Sequence, residues 1–193
     1  MSEPQPVRIA GSAIGEPAAA ERKRPPAAHA HAAADLHAVA EPEADAVVPG
    51  LAAIAVIRDD RGRVLLVRQR GGPFAGAWLL PGGRAAEDES AVHALVREVR
   101  EETGLTMTDA AYVAGYRTNG DGYDLTVLMY RGPATGALAP ERGSDARWFA
   151  LDAIPDPHPA LRRQLADAGL AADDEVSIAA ALERAGITIV PLS

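Results

Sequence analysis

The sequence predicts an α+β domain, in which one central helix lies between two groups of strands. Apolar residues recur at i, i+3, i+4 and i+7 over residues 90–103, where they are Val92, Leu95, Val96 and Val99. This spacing predicts an amphipathic helix. Short runs rich in β-branched and aliphatic residues precede and follow the helix, and turn-forming residues separate them, as is typical of strands.

Two strands are predicted before the helix, at residues 53–57 and 64–68. They flank "RDDRGR", whose aspartates and glycine favour a turn, so the pair predicts a β-hairpin. A glycine-rich connector, "GGPFAGAWLLPGG", follows and contains a short predicted strand at residues 78–80. For the helix, Asp88 is the predicted N-cap and Gly104 the predicted residue just beyond its end.

The pattern after the helix predicts strands at residues 112–117 and 124–131 around the turn "NGDG". A further strand is predicted at "ARWFAL", helices at "HPALRRQLADAG" and "DDEVSIAAALERAG", and a last strand at "ITIV". We expect residues 50–170 to form the domain, and residues 171–193 to add a helix and a strand to it.

The first 49 residues are rich in alanine and proline and contain no aromatic residue. Such a segment cannot bury enough apolar surface to offset the entropy lost on ordering, which predicts a disordered tail. His29, His31 and His37 lie in this tail, but their loose spacing without nearby acids does not favour a metal site.

Composition narrows the function classes. The net charge is −8, from 19 basic and 27 acidic residues, which argues against a nucleic-acid partner. Small anionic substrates remain compatible with this charge, because a bound metal can invert the local field. The sequence has no long apolar run and no secretory signal, and it contains no cysteine, so we expect a cytoplasmic protein without a membrane span.

Three carboxylates crowd one flank of the predicted helix. On a helical wheel Glu98, Glu101 and Glu102 lie beside the buried face, and Glu98 reaches the other two at i+3 and i+4. Like charges at this spacing repel. Either a divalent cation such as Mg²⁺ offsets the repulsion, or the flank is a solvated surface on which Arg97 pairs with Glu101.

The segment "GGRAAEDESAVHALVREVREETGL" resembles the Nudix box, the signature of Nudix hydrolases. The matching positions are Gly83, Glu89, Arg97, Glu98, Val99, Glu101, Glu102, Gly104 and Leu105. The preceding "WLLPGG" and the later "RWF" also resemble that family. The resemblance implies a Nudix fold, with a mixed β-sheet sandwiched between α-helices. It also implies Mg²⁺- or Mn²⁺-dependent hydrolysis of a nucleoside diphosphate linked to another group.

The resemblance further implies that Glu98, Glu101, Glu102 and the carbonyl of Gly82 are metal ligands. Glu98, Glu101 and Arg97 are the expected catalytic residues, and Arg97 is expected to orient the carboxylates. The general base is left open between Glu98 and a later loop acid, either Glu141 or Asp145. Glu89 either touches the metal through water or fixes the loop.

The substrate contacts are less defined. Arg68 and Arg70 are candidates to bind phosphate, or else they keep an exposed strand edge soluble. For Tyr116, Arg117 and Tyr123, packing or plain exposure is favoured over contact with a base or ribose. Two further interpretations are that His158 begins a helix and that Trp78 and Trp148 belong to the core.

The resemblance implies that the substrate is a small nucleotide, namely a nucleoside triphosphate, ADP-ribose or a sugar nucleotide. Because members of the resembled family often dimerise, a homodimer is compatible with the sequence. The alternative function is a non-catalytic domain that senses nucleotides or binds proteins.

Overall fold

A computed structural model describes residues 50–171 and 173–192. The predicted tail and its three histidines lie outside the described residues. The described part contains ten strands: β1 (Leu51–Val56), β2 (Val64–Arg68), β3 (Trp78–Leu79), β4 (Gly82–Arg84), β5 (Thr106–Met107), β6 (Ala111–Gly120), β7 (Tyr123–Arg131), β8 (Ala134–Thr135), β9 (Ala146–Phe149) and β10 (Thr188–Pro191). The same residues form three helices: α1 (Ala91–Thr103), α2 (Pro159–Asp167) and α3 (Glu175–Arg184).

The main sheet has five strands in the order β10-β6-β7-β1-β4. β1 pairs with β7 in parallel, whereas its pairing with β4 is antiparallel, so the sheet is mixed as predicted. A second, antiparallel sheet has the order β3-β2-β9, and β5 pairs with β8. β10 pairs with β6 at the edge of the main sheet.

The main sheet lies between helices because its strands bury both faces. Successive residues of a strand point to opposite faces. Along β1, Ala53 belongs to the hydrophobic cluster that contains Leu95 of α1. Ala52 belongs to the cluster that contains Leu161 of α2. This alternation confirms the predicted arrangement of a mixed sheet between α-helices.

The predicted hairpin between residues 53–57 and 64–68 forms only next to its turn, and β1 and β2 do not pair along their length. The turn forms, because the carboxylate of Asp59 accepts hydrogen bonds from the amides of Arg61 and Arg63. An antiparallel bridge between Arg58 and Val64 closes the turn, the amide of Leu65 donates to the carbonyl of Ile57 at 3.0 Å, and the two strands then enter different sheets. The residues of "RDDRGR" predict the turn correctly, but they do not decide which strands pair beyond it.

The helix carrying the acidic flank begins later than predicted. Ser90, not Asp88, is the N-cap of α1, and its hydroxyl accepts a hydrogen bond from the amide of His93. The predicted end is confirmed: Gly104 has a φ of 76°, and its amide donates to the carbonyl of Arg100 at 2.8 Å. This left-handed conformation favours glycine.

The later elements follow the predicted order. The turn between β6 and β7 contains Gly122, and both strands extend beyond their predicted bounds. α2 and α3 pack against each other. Among the described residues, no helix is long and apolar enough to cross a membrane.

His158 begins α2, as the sequence interpretation held, and its Nδ1 atom accepts a hydrogen bond from the amide of Ala160 at 3.2 Å. Burial lowers the pKa of His158, and nearby Asp156 only partly opposes this effect. The stabilisation from the neutral cap is therefore present above the ordinary histidine pKa of about 6.5. It is lost as the pH falls through the lowered value, because protonation removes the accepting lone pair.

We therefore predict a pH-dependent difference between the wild type and His158→Asn. Asparagine is an efficient N-cap but does not titrate in this range. Between pH 7 and pH 5 the free energy of unfolding should fall more steeply for the wild type. Urea unfolding at pH 7, 6 and 5 measures this difference, and parallel pH profiles for the two proteins would contradict it.

Candidate active site

Arg97, in the middle of α1, is the centre of an ion-pair network. Its Nε and Nη2 atoms donate to the two carboxylate oxygens of Glu89 at 2.9 and 2.7 Å. Its Nη1 atom donates to Glu98 at 2.7 Å and contacts Glu101 at 3.4 Å. The carbonyl of Arg84 also accepts a hydrogen bond from Nη2 of Arg97, at 3.1 Å. Arg97 thus ties the loop before α1 to two carboxylates of the helix.

The contacts within this network explain how the side chain of Glu89 is held. The paired hydrogen bonds from Arg97, helped by one from the amide of Ala86, lower the pKa of Glu89 to about 2. In return, the carboxylates of Glu89 and Glu98 raise the pKa of Arg97. The side chain of Glu89 is only 17% exposed. Of the two interpretations of Glu89, the contacts favour fixation of the loop.

We predict that Glu89→Gln lowers stability mainly above pH 4.5. Because the pKa of Glu89 is lowered on folding, its stabilising effect is present above the ordinary value of 4.5. The effect is lost as the pH falls towards about 2. The free energies of unfolding of the two proteins, measured with urea at pH 7, 4.5 and 3, should therefore converge as the pH falls. A difference that stays constant over this range would contradict the prediction.

Glu102 is set apart from the Arg97 network. Its Oε2 atom accepts a hydrogen bond from the amide of Gly82 at 2.9 Å, which joins α1 to β4. Burial raises the pKa of Glu102 to about 7, and the negative charges of Glu98 and Glu101 add to the effect. Among the described residues, no arginine or lysine forms a salt bridge with Glu102.

Gly83 provides the space for Glu98. A Cβ atom at position 83 would collide with the carboxyl group of Glu98, with its Oε1 atom only 2.6 Å away. Gly82 has a φ of 144°, and a Cβ there would collide with the backbone of Ala53 in β1. Gly83 therefore lets the carboxylate of Glu98 approach β4, whereas Gly82 lets β4 lie close to β1.

The donor set fits a hard divalent cation, because such ions prefer carboxylate oxygens. Within residues 50–171 and 173–192, however, no three or more acidic, histidine or cysteine side chains already surround one point. Arg97 instead occupies oxygens of Glu98 and Glu101. The structure thus gathers Glu98, Glu101, Glu102, Gly82 and Arg97 in one region, with their negative charge only partly compensated.

The two candidate loop acids occupy different surroundings. The amide of Glu141 donates to the carbonyl of Glu101 at 3.2 Å, and both residues border one surface groove. The carboxylate of Asp145 instead accepts two hydrogen bonds from Arg147, both at 2.9 Å. The geometry therefore brings Glu141, and not Asp145, beside an acid of the α1 flank.

Arg68 and Arg70 lie where the chain leaves β2. The Nε atom of Arg68 donates to the carbonyl of Gly76 at 3.3 Å. The guanidinium of Arg70 packs against Gly143, whose missing Cβ would lie 2.7 Å from it. Both arginines are exposed, and in the described residues neither has a hydrogen bond to a carboxylate of α1.

A cavity of about 250 Å³ opens on the α2 side of the main sheet. β1, β4, β6, β7 and α2 all contribute to its walls, together with the glycine-rich connector. Its polar lining includes Gln69, Thr118 and Gln164, and Arg84 is the charged residue among the described ones that border it. Gly82 and Gly83 also border the cavity, so the strand that accommodates the α1 carboxylates is also a wall of the cavity.

The aromatic residues named from sequence have distinct places. Tyr116 and Tyr123 line the cavity, but the hydroxyl of Tyr116 donates to Asp167 at 2.6 Å. Arg163 donates to the same oxygen at 2.8 Å, so this network fastens α2 to β6. Arg117 is exposed and pairs with Asp124.

Trp78 packs against Phe149, with ring centroids 4.9 Å apart, which agrees with the interpretation of Trp78 as a core residue. Trp148 packs against the cluster on the α1 side of the sheet. The sequence analysis missed Gln69, Phe74, Thr118 and Gln164. These residues come from three separated segments of the sequence, so no single spacing could have linked them.

A family model described as a NUDIX domain matches residues 48–184. The chain is 37% identical over 103 residues to an RNA pyrophosphohydrolase of Gluconacetobacter diazotrophicus, a match that covers 50% of this chain and 58% of that protein. It is 29% identical over 111 residues to an ADP-ribose pyrophosphatase of Methanocaldococcus jannaschii, with coverages of 55% and 65%. The chain therefore spans less than two thirds of the length of these two curated relatives.

Among solved structures, the fold is similar to that of a MutT NUDIX hydrolase from Burkholderia pseudomallei, with a TM-score of 0.55 and 30% identity. That match covers 61% of this chain and 95% of the other. The family model covers well over half of the sequence, and its span includes the whole of α1 and the acidic flank. The chain therefore belongs to the Nudix hydrolase family.

Proposed function

We propose that this protein is a metal-dependent hydrolase that cleaves the diphosphate linkage of a nucleoside diphosphate joined to a second group. The observation that carries the proposal is the position of Gly82 and Gly83, which border both the cavity and the α1 carboxylates. A nucleotide with its base in the cavity would extend its phosphates across β4 towards these acids. Both curated relatives are named for pyrophosphate hydrolysis, which supports this class of reaction.

In this proposal Glu98, Glu101, Glu102 and the carbonyl of Gly82 bind Mg²⁺ or Mn²⁺. When bound, the cation would neutralise phosphate charge and lower the pKa of the attacking water. Arg97 keeps Glu98 and Glu101 in place through its charge-assisted hydrogen bonds. Its other partner, Glu89, fixes the guanidinium from the opposite side.

Water activation also needs a proton acceptor. We assign this role to Glu98 or Glu141, since the surroundings of Glu141 place it beside Glu101 while Asp145 is paired with Arg147. Arg68 and Arg70 are assigned to the phosphates of the substrate. The two exposed arginines flank Gln69 in the sequence, and Gln69 lines the cavity.

The proposed substrates are small nucleotides, namely nucleoside triphosphates, ADP-ribose and sugar nucleotides. The acidic charge of the chain disfavours long nucleic acids, whose binding depends on neutralising many phosphates. We also propose that the protein is cytoplasmic and forms a homodimer. The lack of cysteine agrees with a reducing compartment.

The test is a substrate panel read by mass spectrometry, in Mg²⁺ and in Mn²⁺. It contains CTP, 8-oxo-dGTP, ADP-ribose, UDP-glucose and a 5′-triphosphorylated RNA. Each compound is incubated with the wild type, with Glu101→Gln/Glu102→Gln, and with Glu183→Gln as a control on exposed α3. We expect at least one small nucleotide to be cleaved, and the double variant to be slower by about a hundredfold.

The outcomes separate the competing functions. Cleavage of the RNA alone would overturn the proposed substrate class. If the wild type cleaves no compound but binds one of them, the protein is a nucleotide sensor and the catalytic proposal fails. Equal activity of the double variant and the wild type would show that Glu101 and Glu102 do not bind a required cation.

A further inference from the structure

The loop between β8 and β9, residues 136–145, is bonded to the end of α1. The amides of Ala139 and Glu141 donate to the carbonyls of Thr103 and Glu101, at 2.9 and 3.2 Å. The last four carbonyls of a helix have no partner within it. These two bonds therefore satisfy carbonyls of the last turn of α1, and they place Glu141 beside Glu101.

Gly104 lets this loop come close to the helix. A Cβ atom on Gly104 would lie 2.5 Å from the carbonyl oxygen of Ala139 and 2.9 Å from its carbonyl carbon. A side chain at the end of α1 would thus push the β8–β9 loop away. The contact at this end of the loop consists of backbone atoms, so it depends on the path of the chain rather than on a side chain of the loop.

The other end of the β8–β9 loop is bonded to the end of β2. The carbonyl of Asp145 accepts a hydrogen bond from the amide of Arg68 at 2.8 Å. Between the two ends, residues 142–143 form a turn. Within the described part of the chain, no hydrogen bond joins this turn to another strand or helix. Glu141 therefore lies next to the least anchored residues of the loop.

The side chain of Arg70 packs on this turn. A Cβ atom on Gly143 would lie 2.7 Å from Nη2 and 2.9 Å from Cζ of Arg70, so the guanidinium occupies the space that a side chain would need. Gly143 also has a φ of 93°, a conformation that favours glycine. Arg70 is exposed and forms no salt bridge with any described residue, so packing, and not an ion pair, holds it against the turn.

We propose that Arg70 is a positioning residue, which holds the β8–β9 loop through Gly143 and so keeps Glu141 beside Glu101. The inference rests on the proposed function, because it takes Glu141 as the acceptor of the proton from the attacking water. It gives Arg70 a role in addition to its assigned contact with the phosphates. An acceptor must lie within hydrogen-bond reach of the proton that it takes up, and a displacement of about 1 Å can cost about a hundredfold in rate.

Hydrogen exchange of the amide of Glu141 tests the structural step without requiring activity. The exchange is measured by NMR, without substrate, in the wild type and in Arg70→Ala. The bond to the carbonyl of Glu101 protects this amide, so release of the loop should raise its exchange rate by about tenfold. The amide of Val99, inside α1, should exchange at the same rate in both proteins.

A double-mutant cycle in kcat tests whether Arg70 acts through Glu141. Alone, Arg70→Ala should lower kcat by about tenfold, because Glu141 is less often in position. In the Glu141→Gln background no acid remains to be positioned, so Arg70→Ala should change kcat little further. A contact between Arg70 and a substrate phosphate would instead raise KM and would add to the effect of Glu141→Gln.

Arg142→Ala is the matched control. It removes the same charge from the turn itself but leaves the guanidinium of Arg70 on Gly143. We expect this variant to keep the wild-type kcat and the wild-type exchange rate of the Glu141 amide. Equal losses in Arg142→Ala and Arg70→Ala would mean that positive charge, and not packing on Gly143, sets the rate. Thermal unfolding of each variant shows whether it is folded.

The remaining outcomes overturn the inference in distinguishable ways. An unchanged exchange rate in Arg70→Ala would show that the guanidinium does not hold the loop. Additive losses in the cycle would show that Arg70 acts on the substrate. Wild-type kcat in Glu141→Gln would leave Arg70 no acid to position, while the hydrolase function would stand with Glu98 as the acceptor. If the wild type cleaves no compound, the proposed function fails, and the exchange rate still decides whether Arg70 holds the loop.

Discussion

Replacing Glu98 with glutamine is expected to lower metal-dependent hydrolysis by about a hundredfold or more and to leave the protein folded. The carboxylate of Glu98 lies in the space that Gly83 leaves open, and it is one of three acids on the α1 flank. Glutamine has the same size but no negative charge, so it weakens a carboxylate cation site without creating a void. Arg97 retains its paired hydrogen bonds to Glu89 in this variant.

The measurement is kcat and KM for the substrate that the panel identifies, over a range of Mg²⁺ concentrations. Loss of a metal ligand should raise the Mg²⁺ concentration needed for half-maximal rate, as well as lower kcat. The matched control is Glu183→Gln, the same change of charge at an exposed position of α3. A Glu98→Gln enzyme with wild-type rates would show that this carboxylate neither binds the cation nor takes up the proton.

Gly82→Ala is expected to destabilise the fold by about 3 kcal/mol or more, through collision and backbone strain. A Cβ atom at this position would overlap the carbonyl oxygen of Ala53 and lie 2.7 Å from the Cα of Ile54. Both belong to β1, the partner of β4, and backbone atoms there cannot move aside without breaking the sheet. The φ of 144° adds strain for any residue other than glycine.

Gly83→Ala should behave differently although it is the neighbouring residue. Its Cβ would meet the end of the Glu98 side chain, which can rotate away at little cost in stability. We therefore expect a near-native free energy of unfolding together with a large loss of activity. Urea unfolding and kinetic assays of both alanine variants measure the contrast. Equal destabilisation by the two substitutions would contradict it.

The sequence predicted the elements well because each depends on local pattern. The 3.6-residue period defined α1, and the turns around Gly104 and Gly122 bounded the helix and the long hairpin. The prediction failed where pairing between residues that are distant in the sequence determines the structure. The segment "RDDRGR" forms the expected turn, yet β1 pairs with β4 and β7 instead of β2.

The candidate site, too, could be predicted from the sequence only in part. The α1 carboxylates share one helix, so their proximity could be read from spacing, and the Nudix box added the expectation of a bound cation. The surroundings of each acidic side chain could not be predicted from the sequence. The bond from the amide of Gly82 to Glu102 spans twenty residues. Local sequence therefore gave no sign that Glu102 carries a raised pKa while Glu89 carries a lowered one.

The position of β4 as a partition between the cavity and the α1 carboxylates has a thermodynamic consequence. Ligands that share a wall bias each other's affinity, and such heterotropic coupling is reciprocal by linkage. An occupant of the cavity that draws Gly82 and Gly83 towards a geometry suited to the cation would tighten cation binding by some factor. The cation would then tighten binding of that occupant by the same factor. A nucleotide whose base fits would thus help to assemble the centre that cleaves it, and one whose base does not fit would forgo that help.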